Sequence, residues 1–224
     1  MAMLNPKIVE QVLEEFEAMD APVKIVVFTQ SIECQFCEET RTLVEEVAAL
    51  NPQLSVDVYD LVEDKAVAEQ YGIDKIPAVA LVGAGEKGMD GEGTDEDYGI
   101  RFYGIPSGYE FSTLIQDIVM ISRGDSGLSE PTKAQLAMLE DGVHLQVFVT
   151  PTCPYCPQAV HLAHQMAMAS NKVKADMVEA TEFPHLSNKY NVMGVPRTII
   201  NETEFVEGAA PEGMLLTRIM DMVA

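Results

Sequence analysis

Tryptophan is missing from this 224-residue chain, and cysteine occurs only four times. No stretch approaches the roughly 20 apolar residues that span a bilayer, so no transmembrane helix is expected. Met1 to Asp20 alternates charged and apolar residues and lacks the apolar core of a secretory leader, which points to the cytoplasm. Bases are scarce: 14 Lys and Arg stand against 36 Asp and Glu, a formal charge of −22. Such a surface repels nucleic acid and anionic membrane, so neither is expected as a partner. The deficit is uneven, with 24 acids and 7 bases in residues 1–122 and 12 acids and 7 bases in residues 123–224. Methionine takes up some of the space that tryptophan would fill.

The four cysteines form two Cys-x-x-Cys motifs, Cys34-Gln35-Phe36-Cys37 and Cys153-Pro154-Tyr155-Cys156, leaving none for bridges elsewhere. Each motif is followed by an X-Pro, Ile76-Pro77 and Val195-Pro196, at 43 residues from its first cysteine. The run from Tyr71 to Pro77 matches the run from Tyr190 to Pro196. A common offset of 119 residues is the mark of a duplicated domain. The length suits two domains of about 100 residues, and the turn-rich segment from Arg123 to Pro131 separates them, giving expected domains of 1–122 and 123–224.

Hydrophobic periodicity gives each half one order of elements. In the first, a helix carrying Ile8, Val9, Val12, Leu13 and Phe16 leads to a strand at Lys24–Thr29 and the first motif. A helix from Cys37 to Leu50, a strand from Leu54 to Leu61, a helix from Glu63 to Tyr71 and a strand from Ala78 to Val82 follow. Glu86–Tyr98 is an acidic, Gly-rich insertion, read as a hairpin tip because the EF-hand pattern is not met. A return strand at Arg101–Tyr103 and a helix at Tyr109–Ser122 close the half. The second half repeats this as a helix at Thr132–Leu139, strand His144–Thr150, helix Cys156–Ala169, strand Val173–Val178, helix near Leu186–Tyr190, strand Thr198–Ile200 and helix Pro211–Val223. The fold class is α/β, with a central mixed sheet flanked by helices in each half.

Two cysteines two residues apart at a helix start can close a small disulfide or act in sequence. The attacking species is a thiolate, which a helix N-terminus stabilises. Cys34 and Cys153 are the expected nucleophiles, and Cys37 and Cys156 the resolving thiols. Ile76, Pro77, Val195 and Pro196 are the candidate substrate-binding residues, presenting backbone groups to an extended chain. Glu33, Glu38 and Glu39 crowd the first motif, whereas no charge lies within two residues of either cysteine of the second. Cys153 is therefore expected to alkylate faster than Cys34.

These motifs resemble the active sites of the thioredoxin/glutaredoxin superfamily. Cys153-Pro154-Tyr155-Cys156 after Thr150-Pro151-Thr152 is similar to a glutaredoxin site, and the whole chain resembles the two-domain protein disulfide oxidoreductases of thermophilic archaea and bacteria. The resemblance implies two tandem thioredoxin-like folds, dithiol–disulfide exchange on protein substrates, and cis peptides at Pro77 and Pro196. It also implies an electron donor like thioredoxin reductase, and no cofactor. Two departures stand out. The buried acid of thioredoxins, six residues before the first cysteine, is replaced by Phe28 and Val147. Gly208 is followed by Ala209-Ala210 where glutaredoxins carry a Gly-Gly element for glutathione.

The competing reading is a metal-binding protein whose four cysteines hold zinc or an iron–sulfur cluster. The matched distances to Pro77 and Pro196 argue against it, since a shared metal site does not need them. His161 and His164, two turns or more beyond Cys153, are read as solvated or packed. Met166 and Met168 are read as core, and Tyr71 and Tyr190 as packing residues beside the proline turns.

Overall fold

Asn5 and Pro6 start the first helix for a local reason. The Asn5 side chain accepts a hydrogen bond from Ile8 N at 3.0 Å, and Pro6 gives up only an N–H that has no helical partner. In the computed structural model, which describes residues 3–30, 32–84 and 95–223, α1 (Pro6–Phe16) leads to β1 (Val23–Thr29), α2 (Cys37–Ala48), β2 (Leu54–Asp60), α3 (Lys65–Tyr71), β3 (Ala78–Gly83), β4 (Glu96–Tyr103) and α4 (Glu110–Arg123). The order recurs as α5 (Glu130–Leu136), β5 (Val143–Val149), α6 (Cys156–Ala169), β6 (Val173–Glu179), α7 (Pro184–Lys189), β7 (Arg197–Ile200), β8 (Glu204–Glu207) and α8 (Glu212–Met222).

All eight strands join one mixed sheet in the order β2-β1-β3-β4-β6-β5-β7-β8. Within each half the first two strands run parallel, and the third and fourth complete an antiparallel set. The halves are joined head to tail by a parallel pairing of β4 with β6, from Ile100 opposite Ala175 to Tyr103 opposite Val178. The strands are apolar on both faces because both faces are covered. Val23, Ile25 and Val27 of β1 enter the larger core, which includes residues of α1, α2, α4, α5, α6 and α8, while Val26 and Phe28 enter the smaller one, with Ala68 of α3. Tyr71 packs on Phe28 and Tyr190 on Phe148, with ring centroids 5.7 and 5.8 Å apart, as expected of packing residues.

Several boundaries differ from the periodicity reading. α3 starts at Lys65 because Asp60 accepts from Val62 N and Glu63 N, and Asp64 accepts from Asp60 N; these bonds hold residues 60–64 as a turn. α7 starts earlier, at Pro184, where proline suits a first helical position. α5 starts at Glu130, capped by Ser129. β4 starts at Glu96, and its antiparallel pairing with β3 is the hairpin expected around the acidic insertion, of which residues 85–94 lie outside the described part. α4 runs one residue past the expected domain boundary, to Arg123.

The repeat is also not exact. β1 and β5 are related by 120 residues, the cysteines by 119. Four residues separate Thr29 from Cys34, and three separate Val149 from Cys153. The longer loop holds Glu33 at φ +59°, a left-handed conformation uncommon for a residue with a side chain.

Candidate redox sites

Each motif sits where its first-paired strand ends and a helix begins, so Cys37 and Cys156 are the first residues of α2 and α6. In the first site Cys34 and Cys37 form a disulfide, with Cα atoms 5.5 Å apart. Cys37 is buried and Cys34 half-buried. Glu38 and Glu39 occupy the first exposed turn of α2. Ile76 is half-buried and Pro77 buried; their peptide bond is cis, and Pro77 O accepts from Gly104 N at 2.9 Å.

In the second site Cys153 and Cys156 are unbridged. Cys153 N donates to Thr150 O at 3.1 Å, and Cys153 Sγ lies 3.7 Å from Val195 O. The candidate nucleophile and a candidate substrate-binding residue, more than 40 positions apart in sequence, thus meet. The Val195–Pro196 bond is cis, and Pro196 O accepts from Gly208 N at 2.9 Å, repeating the first site's arrangement. Cys156 is fully buried. Burial, and then its hydrogen bond with Cys153, push its thiol far up, so it needs a proton acceptor before it can attack.

The charge of Glu110 reaches that thiol and makes the smallest of the contributions to the Cys156 shift. It comes from the first half. Tyr109 N donates to Pro151 O at 3.0 Å, which ties the start of α4 to the second motif loop. Gly108 permits the approach: at φ +61°, a Cβ there would stand 2.2 Å from Pro151 O. Glu110 is 2% exposed; one carboxyl oxygen accepts from Thr113 Oγ1 at 2.8 Å, and the other has no partner. Burial, followed by the charge of Asp117, pushes it up to about 7. The strand positions before both motifs lack an acid, as read from the sequence, yet the second site has one nearby from another element. Its trace in the sequence is the spacing of Glu110, Thr113 and Asp117 along a helix whose other inward residues, Leu114, Ile118 and Ile121, are apolar.

Further along the α4–α6 contact, Asp117 is fully buried between two imidazoles. His161 Nδ1 is 2.6 Å from Oδ1, and His164 Nδ1 is 2.5 Å from Oδ2. Burial opposes ionisation of Asp117, but His164 and His161 hold it below the usual carboxylate range. Burial alone would lower His161, and Asp117 raises it instead. His164 Nε2 has no partner and the ring stands edge-on to Phe102, 5.0 Å between centroids. His161 and His164 therefore join the two halves rather than reaching Cys153. A second acidic pair, buried Glu179 and half-buried Glu182, lies against Gly104, with Glu182 accepting from Ile105 N at 2.9 Å.

Among the described residues, no group of three or more His, Cys, Asp and Glu is arranged to hold a metal, so the four-cysteine metal site is not formed. No helix among them is long and apolar enough to cross a membrane.

Residues 143–221 match the thioredoxin domain family. Over 98% of its length the chain superposes on 93% of a protein disulfide oxidoreductase from Aeropyrum pernix, with 29% identity and a TM-score of 0.87. The structure of an alkyl hydroperoxide reductase component, AhpF of Enterococcus faecalis, shares the fold, with 24% identity, a TM-score of 0.83 and 99% of each chain covered. In sequence the chain is 25% identical over 206 residues, 92% of its length, to the same component of the alkyl hydroperoxide reductase of Staphylococcus aureus. It spans only 36% of that relative's length. Two Cys-x-x-Cys motifs at the starts of α2 and α6, each paired with a cis-proline loop, make these similarities chemically coherent: residues 143–221 form a thioredoxin domain, and the whole chain shares its fold with a protein disulfide oxidoreductase.

Proposed function

We propose that the chain reduces, and in a second mode isomerises, disulfides in protein substrates through both sites. The observation that supports this best is the 3.7 Å approach of Cys153 Sγ to Val195 O, beside a backbone segment where an extended substrate can lie. Cys153 attacks a substrate sulfur; one substrate thiolate leaves and takes up a proton. Cys156 then gives its proton to Glu110, attacks Cys153 Sγ, and releases the second substrate thiolate. Cys34 and Cys37 take the same roles in the first site, with Ile76 and Pro77 facing the substrate. The functional units are 1–122 and 123–224, although β4 and β6 pair across the division.

A cytoplasmic setting favours reduction, with electrons from a donor of the thioredoxin-reductase kind. The similarity to an alkyl hydroperoxide reductase component over 92% of the chain favours a second reading, in which the acceptor is a peroxide-reducing partner. The test is reduction of insulin by dithiothreitol with wild type, Cys34→Ser and Cys153→Ser. Turnover that falls at least tenfold in Cys153→Ser supports a dithiol reductase led by its second site. An inert wild type refutes protein-disulfide reduction and leaves the peroxide-linked reading.

A further inference from the structure

The two sites share one backbone plan, so differences at matching positions show what each site selects. The first carries exposed acids: Glu33 in the longer loop, and Glu38 and Glu39 on α2. Their counterparts in the second site are Thr152, Pro157 and Gln158, none of them charged. Before the proline, exposed Asp74 corresponds to Met193, which is 85% exposed. Glu63 is exposed, whereas its counterpart Glu182 is turned inward to Ile105 N. Leu61 N donates to Thr29 O at 2.9 Å, which brings the Glu63 turn against the motif loop. The nearby cations do not cancel this field: Arg41 is engaged by Glu45 at 2.7 Å, and Lys75 offsets only Asp74.

An independent observation marks the same rim as a contact surface. Ile32 is 68% exposed and Val62 67%, in the two loops that follow the Thr29 O–Leu61 N hydrogen bond. The second site has its own exposed apolar residues, Tyr155 at 68% and Met193, without acids among them.

Resting on the disulfide-exchange reading above, we propose that the sites divide substrates by charge: the Cys34–Cys37 site acts on disulfides flanked by Lys or Arg, and the Cys153–Cys156 site on disulfides in uncharged, apolar segments. The step is the same in both. The reduced dithiol and a substrate disulfide yield the enzyme disulfide and two substrate thiols, with dithiothreitol or another dithiol restoring the enzyme. Only encounter and docking differ, and these respond to opposite charge and to salt.

The test uses full-length protein with one site removed. Cys153→Ser/Cys156→Ser leaves the first site, and Cys34→Ser/Cys37→Ser leaves the second. Each prereduced protein is mixed with three synthetic peptides that share one disulfide loop and differ only in Lys, Ser or Glu flanks. Single-turnover thiol release is followed at low and high salt. The first site is expected to reduce the Lys peptide roughly tenfold faster than the Glu peptide at low salt, with near equality at about 1 M. The second site is expected to differ by less than about twofold. Adding Glu38→Gln/Glu39→Gln to the first-site protein moves its Lys-to-Glu ratio toward one. Equal rates on Lys and Glu peptides at low salt, with the Ser peptide still reduced, overturn charge selection alone. An equal Lys preference at both sites also overturns it, by assigning the effect to the net charge of the chain. Failure of the first-site protein on all three peptides overturns both this proposal and disulfide exchange at Cys34.

Discussion

Glu110→Gln should make the protein more stable and slower. The carboxyl is 2% exposed, has one oxygen without a partner, and is pushed from 4.5 up to about 7. At about 1.4 kcal/mol for each pH unit of that rise, ionised Glu110 costs the folded state about 3 kcal/mol. The sign follows from proton uptake. The folded chain holds this proton where the unfolded chain has released it, so stability falls as pH rises from about 4.5 to about 7 and stays low above. Glutamine keeps an acceptor for Thr113 and removes the charge. At pH 8 the variant should gain up to about 3 kcal/mol, less the cost of an amide N–H without an acceptor. At pH 5 the gain should be small. Resolution of the mixed disulfide should slow by about a hundredfold where proton removal from Cys156 limits it. Urea denaturation of oxidised protein at pH 5 and 8, paired with release of the second substrate thiol in single turnover, measures both effects. A variant as fast as wild type refutes the proton-acceptor role, and one less stable at pH 8 refutes the buried-charge argument.

Cys156→Ser should trap a mixed disulfide at Cys153 with a substrate peptide, visible as added mass on a non-reducing gel; a trap that forms in Cys153→Ser, at Cys156, and not in Cys156→Ser would reverse the assigned roles. Once both sites are reduced, iodoacetamide should label Cys153 before Cys34, with the gap narrowing in salt; equal rates at low salt refute the effect of Glu33, Glu38 and Glu39. Asp117→Ala should destabilise by about 3 kcal/mol, because it leaves His161 and His164 without their shared acceptor. In wild type, the Asp117 contribution should be present above the unfolded carboxylate value near 3.9 and lost as pH falls through its lower folded value. The His161 contribution should be present below about 6.5 and lost as pH rises through its raised value, so denaturation of Asp117→Ala should show less pH dependence on both flanks. Gly108→Ala should slow the second site more than the first, since a Cβ would meet Pro151 O at 2.2 Å; equal slowing of both sites in the single-site proteins would point to a general loss of fold.

The fold was legible because its signals are local and duplicated. Two-faced apolar strands, Cys-x-x-Cys at helix starts and the spacing to Pro77 and Pro196 each repeat, so one half checks the other. Cys153 and Val195 could be paired in advance because an X-Pro stands at the same distance from each motif. Glu110 could not, because its neighbour Cys156 is 46 residues away and on the other half, and no periodic pattern encodes a contact between halves. The one-residue difference between the loops at Glu33 was hidden for a related reason. An offset measured between cysteines says nothing about the strands before them, and only the pairing of β1 with β2 and of β5 with β6 fixes those.

The inequality of the sites follows from the way the halves are joined. A two-fold arrangement would give each site the same neighbours. Here β4 pairs in parallel with β6, so the second half stands beside the first as a translated copy, and each covers one edge that the other would expose. α4 must then lie against α6, and its first turn must meet the second motif. The second site therefore has a preceding half to supply Glu110 and to bond Pro151. Among the described residues α4 meets only the second motif, and what reaches the first site from the other half is the Glu179–Glu182 pair against Gly104, next to Pro77 O. A duplicated sequence thus builds two chemically different environments without any change in the strand–motif–helix plan, because at a head-to-tail joint each half offers the other a different edge.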